Sequence, residues 1–279
     1  MRKVILFEKL SELAEYLPAD MILHLQEGHA EVFESWEGID LLSFDWCDKG
    51  SLSTPPAQVI LVLTGQDLFF ICENEQCLQN VEGIMPGIQY EEAAYDRVLY
   101  LFFVNLIRGD MKYLDRLEEQ ITDAEDALIL SPAAAYRNQI ISFRRELLRY
   151  RKYYKQLDVI FHGLIENDNE LMDAFTVRQF HILHNRGECM YAHVQMLRDY
   201  ITQVREAYQA QVDIEQNSIM KTFTVITAIF LPLTLIVGWY GMNVRMPETE
   251  WQFGYPFVIL LSLVVCGICI AFFKKKKWF

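Results

Sequence analysis

No glycine-rich phosphate loop, dinucleotide fingerprint or nucleophile motif occurs in the 279 residues. Nucleotide chemistry and covalent hydrolysis therefore have no evident site, and an enzyme is the least expected reading. Basic residues are also in deficit: 25 Lys and Arg stand against 38 Asp and Glu, a net charge of −13. That balance argues against nucleic acid as a partner, and it suits a cation-handling surface or ordinary solubility. Cysteine is sparse and scattered, at Cys47, Cys72, Cys77, Cys189, Cys266 and Cys269, which fits free thiols. Cys266 and Cys269 have a two-residue spacing but lie in an apolar run, where helix packing is expected rather than zinc or redox chemistry. Near Met1 there is no apolar run long enough for a signal peptide, so the N-terminal part is expected in the cytoplasm.

Charge is missing altogether from two long stretches near the C-terminus. One lies between Lys221 and Arg245, with the core FTVITAIFLPLTLIVGWY from Phe223 to Tyr240, and the other runs from Trp251 to Phe273. Each is long enough for a helix to cross about 30 Å of hydrocarbon. Trp239, Tyr240, Trp251 and Tyr255 stand at the ends facing the connecting loop, where amphipathic rings settle in a bilayer. The loop carries Arg245, Glu248 and Glu250, and Lys274, Lys275, Lys276 and Lys277 follow the second run. Four lysines against one arginine place the C-terminus inside. The expectation is a multi-pass protein of the cell (inner) membrane with both termini cytoplasmic and the loop outside. The lysines also suit anionic lipid.

The chain divides on this reading into a small α/β domain (1–89), antiparallel cytoplasmic helices (90–170), a stalk helix continuing into the first span (171–240), an external loop (241–254), the second span (255–273) and a basic tail (274–279). Val4 to Phe7, Met21 to Leu25, Gln58 to Leu63 and Leu68 to Cys72 read as strands. Thr64 to Asp67 reads as the hairpin turn between the last two, Leu10 to Tyr16 as a helix, and Ser51 to Pro56 as a loop. Glu91 to Leu130 is periodic and proline-free, and reads as one helix. Ser131 and Pro132 break it and start a second, to about Leu164. From about Leu171 nothing stops a helix before Pro232, with Gly187 the only weak point. A continuous helix of about 70 residues would be roughly 100 Å long. Pro232 should bend it mildly.

Two spans are too few to enclose a polar path, so conduction would require several subunits around an axis. At 100° per residue, Met220, Thr224, Thr227, Leu231, Thr234 and Gly238 share one face of the first span, and Val225, Ile229, Leu233 and Ile236 the opposite one. The first stripe suits a helix interface or a water-lined pore. Upstream, His181 and His184 stand three apart, followed by Cys189 and His193; the spacing admits a metal but equally suits a plain helix surface. Glu118, Glu119, Asp123, Glu125 and Asp126 form either a solvated face or an attractor for cations.

The segment MKTFTVITAIFLPLTLIVGWYGMNVRMPE, Met220 to Glu248, ends its span on Tyr240, Gly241, Met242 and Asn243. With the FLPLT and MPE flanks and the terminal lysines, it resembles the CorA family of magnesium transporters. The close likeness covers about the last 60 residues, and the upstream part agrees in architecture only. The resemblance implies a cytoplasmic α+β domain, long helices, two C-terminal spans and a funnel-shaped homopentamer. It implies passage of Mg2+, with Co2+ and Ni2+ as further ions. Zn2+ transport as in a related branch, or a non-conducting membrane-tethered sensor, are the alternatives.

By position, Asn243 would form a ring at the outer mouth with Gly241 and Met242, its amide oxygen accepting from waters of the hydrated ion. Glu248 would add negative charge there, partly offset by Arg245. Asn217, Met220, Phe223, Thr227, Leu231, Thr234 and Gly238 would line the pore. Met220, Phe223 and Leu231 would form constrictions that close by dewetting; Phe223 is bulkier than the aliphatic residue expected there. Lys274 to Lys277 would form a basic ring on the cytoplasmic side. The family's regulatory carboxylate on the stalk falls in Phe180-His181-Ile182-Leu183, where this chain has none.

Overall fold

The computed structural model describes residues 2–49, 55–85, 94–130, 134–242, 251, 253–276 and 278. Five strands form one sheet in the order β1-β5-β4-β3-β2. They are β1 (Arg2–Leu6), β2 (Phe33–Trp36), β3 (Ile39–Trp46), β4 (Ala57–Thr64) and β5 (Leu68–Cys72). β1 pairs parallel with β5, and the other neighbours are antiparallel.

The sheet is covered on both faces, which is why β4 and β5 read as near-continuous apolar runs rather than alternating ones. On one face Ile5, Leu41, Val62, Phe69 and Ile71 meet Leu10 and Leu13 of a 3-10 helix (Phe7–Leu13) and Met21 and Leu25 of α1 (Ala19–Gln26). On the other, Phe44 and Phe70 meet aromatic rings of α3 (Tyr95–Leu106) and α5 (Ala134–Glu166). Phe70 and Phe102 are 4.9 Å apart, Phe44 and Phe103 6.1 Å, and Phe44 and Tyr153 6.5 Å. α2 (Glu75–Ile84) starts at Asn74, whose side chain accepts from the Cys77 amide at 2.8 Å, an N-cap.

Met21 to Leu25 is helix, not strand: Met21 and Leu25 are fully buried while Leu23 is exposed, the burial of an i, i+4 stripe. The helix expected over Leu10 to Tyr16 is the 3-10 turn, which starts earlier. β2 and β3 were not legible as strands; Gly38, at φ +70°, closes their hairpin. The single helix expected from Glu91 to Leu130 is two, α3 and α4 (Asp110–Leu130). They part at 107–109, where Gly109 takes φ +81°, a conformation glycine adopts without cost. Lys49 pins that corner by donating to the Arg108 carbonyl at 3.0 Å and pairing with Asp110 at 2.6 Å. Ser131 and Pro132 lie outside the described residues.

α5 approaches the sheet so closely that a Cβ on Gly163 would come within 2.5 Å of the Phe33 ring. Its far end turns through Asn167 and Glu170, both at positive φ. Asn169 in this corner donates to the Trp36 carbonyl and to Asp40, each at 2.7 Å, and accepts from the Gly38 amide at 3.1 Å. The corner is thereby tied to the β2–β3 hairpin. α6 then runs unbroken from Ala174 to Tyr240, 67 residues with Pro232 inside it. α7 spans Gly254–Lys275. The chain forms two compact units, Met1–Val204 and Arg205–Phe279, and α6 contributes to both.

Candidate pore-lining helix and its surroundings

α6 and α7 are both long and apolar enough to cross a membrane, and little of either apolar stretch is buried within the chain. Yet the two faces of α6 differ. Val225 is buried, and Ala228, Ile229, Pro232, Leu233 and Ile236 are half-buried, in step with the apolar face seen in the sequence. The other face, with Asn217, Met220, Phe223, Thr224, Thr227, Leu231, Thr234 and Gly238, is exposed throughout, and Leu231 is 69% exposed. The intramolecular partner thus takes the Val/Ile face and leaves the threonine stripe open.

The contact with α7 includes a backbone repair. Pro232 has no N–H, so the Ala228 carbonyl loses its partner four residues on. Cys269 of α7 places its Sγ 3.8 Å from that oxygen, within reach of a weak S–H bond. A membrane helix tolerates proline when a neighbour satisfies the freed group. This gives Cys269 a specific packing role.

On the open stripe the threonine hydroxyls are already committed. Thr224 donates to the Met220 carbonyl, Thr227 to Phe223 and Thr234 to Phe230, each at 2.8 Å. With its proton spent on the helix, a hydroxyl presents only acceptor lone pairs outward.

At the end of α6 the Gly241 amide donates to the Val237 carbonyl at 2.8 Å, and a Cβ on Gly241 would fall 2.8 Å from that same oxygen. The chain's own backbone therefore demands glycine here. Gly238 has nothing within 4 Å of where a Cβ would be. Met242 is exposed. Asn243, Arg245, Glu248 and Lys277 lie outside the described residues. Trp251, Phe253 and Phe257 cluster by the start of α7, with Trp251 6.0 Å from Phe253 and 6.2 Å from Phe257. Lys274 and Lys275 close its last turn and Lys276 follows, all exposed.

Of the acidic residues on α4, Glu118 meets His193 at 3.1 Å and Glu125 accepts from Tyr200. Both pairs advance by seven residues, so they fasten α4 along α6. His184 meets Asp158 of α5 at 2.9 Å. Sequence spacing grouped His184 with His181, Cys189 and His193, whereas the structure groups it with Asp158 and Glu188. The signal that was available is Glu188 one turn beyond His184; the facing Asp158 depends on how α5 and α6 pack.

Burial pushes the Cys47 thiol up to about 11, so it stays protonated at neutral pH and is no nucleophile. Cys77 is pushed up by its neighbour Cys72 and by burial. Both behave as packing residues.

A sheet-bearing α+β domain, long helices and two C-terminal helices of membrane-spanning length, the first bearing the open polar stripe, form the architecture of a multi-pass inner-membrane transporter with a cytoplasmic domain. The sequence matches the family described as CorA-like Mg2+ transporter protein over residues 13–275, and the chain belongs to that family. The cobalt/magnesium transport protein CorA of Thermotoga maritima is 28% identical over 259 residues, covering 91% of this chain and 73% of that one. The CorA magnesium transporter of Methanocaldococcus jannaschii has the same fold, with a TM-score of 0.78 at 20% identity over 98% of this chain and 87% of that one. The full-length CmaX protein does too, with a TM-score of 0.78 at 15% identity over 99% and 88%.

Proposed function

We propose that this chain assembles as a homopentamer and admits Mg2+ down the membrane potential, with Co2+ and Ni2+ as further passengers. The observation that carries this reading is the open stripe of α6, from Asn217 to Gly238, turned away from the face that α7 covers. Its hydroxyls offer acceptors only. The waters around a divalent cation point their hydrogens outward, so such a stripe stabilises a hydrated cation and disfavours an anion's shell. Met220, Phe223 and Leu231 interrupt it with apolar rings that stop flow by dewetting.

Asn243 at the outer mouth holds the ion through its waters, which suits an ion that dehydrates reluctantly. Glu248 concentrates cations there, and Arg245 tempers it. The membrane potential drives entry with about 2.3 kcal/mol per charge per 100 mV, doubled for a divalent ion. Lys274 to Lys277 form a basic ring that also engages anionic lipid.

The test is Mg2+ uptake into proteoliposomes under an inside-negative potential, followed with a fluorescent indicator. Wild type takes up Mg2+, and Asn243→Ala loses uptake while keeping the same oligomer. No uptake by wild type, or full uptake by the variant, overturns the reading.

A further inference from the structure

We propose that Asp158, His184 and Glu188 form a transition-metal site inside each subunit, one that clamps α5 to α6 and takes Co2+, Ni2+ or Zn2+ in preference to Mg2+. The three residues come from two helices. His184 and Glu188 are one turn apart on α6, so both side chains leave from the same face. Asp158 approaches from α5. One donor atom from each lies within 4.8 Å of the other two, and Asp158 Oδ1 is 2.9 Å from His184 Nε2. An ion with bonds of about 2.1 Å spaces tetrahedral donors about 3.4 Å apart. Small side-chain rotations close that gap, and the ion takes the place of the proton between Asp158 and His184.

The surroundings are those of a ligand set. Lys155 donates to the other oxygen, Asp158 Oδ2, at 2.8 Å, which orients the carboxylate and leaves Oδ1 for the ion. Burial opposes the charge on Asp158, but Lys155 and then His184 outweigh it and hold the carboxyl below its usual range. The His162 ring, one turn further along α5, is 6.3 Å from that of His184 and can turn in as a fourth ligand. His184 is largely covered and Glu188 is exposed, so an ion reaches the site from solvent.

The donors decide which ion. Mg2+ demands near-octahedral oxygen coordination, whereas one imidazole with two carboxylates favours the later first-row divalent ions. The proposal needs only two helices of one chain and stands apart from the transport reading.

The experiment is Co2+ binding to the purified full-length protein in detergent, with a large excess of Mg2+ present. It is read by equilibrium dialysis and by the visible ligand-field spectrum. Wild type should bind one Co2+ per chain with the intense bands of a low-coordinate site, and Asn243→Ala should retain them. His184→Gln and Glu188→Gln should each weaken binding by about tenfold or more and lose those bands. Glu188 is exposed, so its variant decides the matter even if His184→Gln fails to fold. The proposal is overturned if Glu188→Gln binds as wild type does, if Mg2+ displaces the Co2+ at comparable concentration, or if the bands vanish in Asn243→Ala, which would put the ion in the pore.

Discussion

Phe103 and Leu231 are both large apolar residues on helices, yet the first is fully buried and the second is 69% exposed. Phe103 belongs to the Met1–Val204 unit, where it touches Phe44, Phe102, Phe161 and Phe180 within ring distances of 5.2 to 6.3 Å. Leu231 belongs to Arg205–Phe279, where Phe223, Leu235, Val237 and Leu263 are exposed too. A patch that size is not stable in water and marks a membrane or protein contact. The lesson is that one chain answers to two solvents. The first unit encloses its core by itself, while the second leaves its apolar surface exposed, as a chain that meets lipid does.

The largest effect should come from breaking the enclosed core. Phe103→Ala should cost about 3–5 kcal/mol, seen as early urea unfolding of the first unit by tryptophan fluorescence. Leu231→Ala should leave that transition in place, and equal shifts for both would erase the contrast.

Within the second unit the two glycines of the span sharpen it. Gly241→Ala forces a Cβ onto the Val237 carbonyl and should cost about 1–3 kcal/mol, with Mg2+ flux falling at low as well as high protein density. Gly238→Ala meets nothing in its own chain. It should leave the melting temperature of the single chain unchanged, and on the pentamer reading it should lower Mg2+ flux by crowding the pore, checked by uptake at unchanged oligomer size.

A smaller change is expected from Cys269→Val, which removes the donor at the Ala228 carbonyl. About 0.5–1.5 kcal/mol should be lost, measured as a lower melting temperature in detergent, while Cys266→Val should do less.

The smallest concerns Asp40. Burial raises its carboxyl above the usual range, although Asn169 and Ser35 pull the other way. An acid raised in the folded state favours folding while protonated, and that contribution is lost as pH rises through its folded value. Asp40→Asn should therefore stabilise the first unit at neutral pH and flatten its dependence on mildly acidic pH. A steeper profile in the variant would show that the sign is wrong.

How much was legible follows from the range of each cause. The two apolar helices were readable because a helix satisfies its own hydrogen bonds and a bilayer demands a set length of apolar residues; both are local. The threonine stripe followed from helical periodicity alone. Met21 to Leu25 was misread because four apolar residues with His24 among them fit either a strand or a buried turn of helix. The α3–α4 break was missed because a lone glycine leaves both outcomes open: Gly187 stays inside α6, whereas Gly109 turns to φ +81°.

The sequence by itself determined the two apolar C-terminal helices, the unbroken run of α6 and the membership signalled by Tyr240 to Asn243, since all of these depend on residues near one another in the chain. Only the tertiary structure decided that α7 covers the Val225 face and leaves the threonines open. It also brought Cys269 to the carbonyl that Pro232 frees, and Asp158 to His184 and Glu188. Those meetings join residues 26 or more positions apart and depend on close packing of helices, with the Asn169 corner turning α5 back into α6 for the first unit's cluster, which no local pattern encodes.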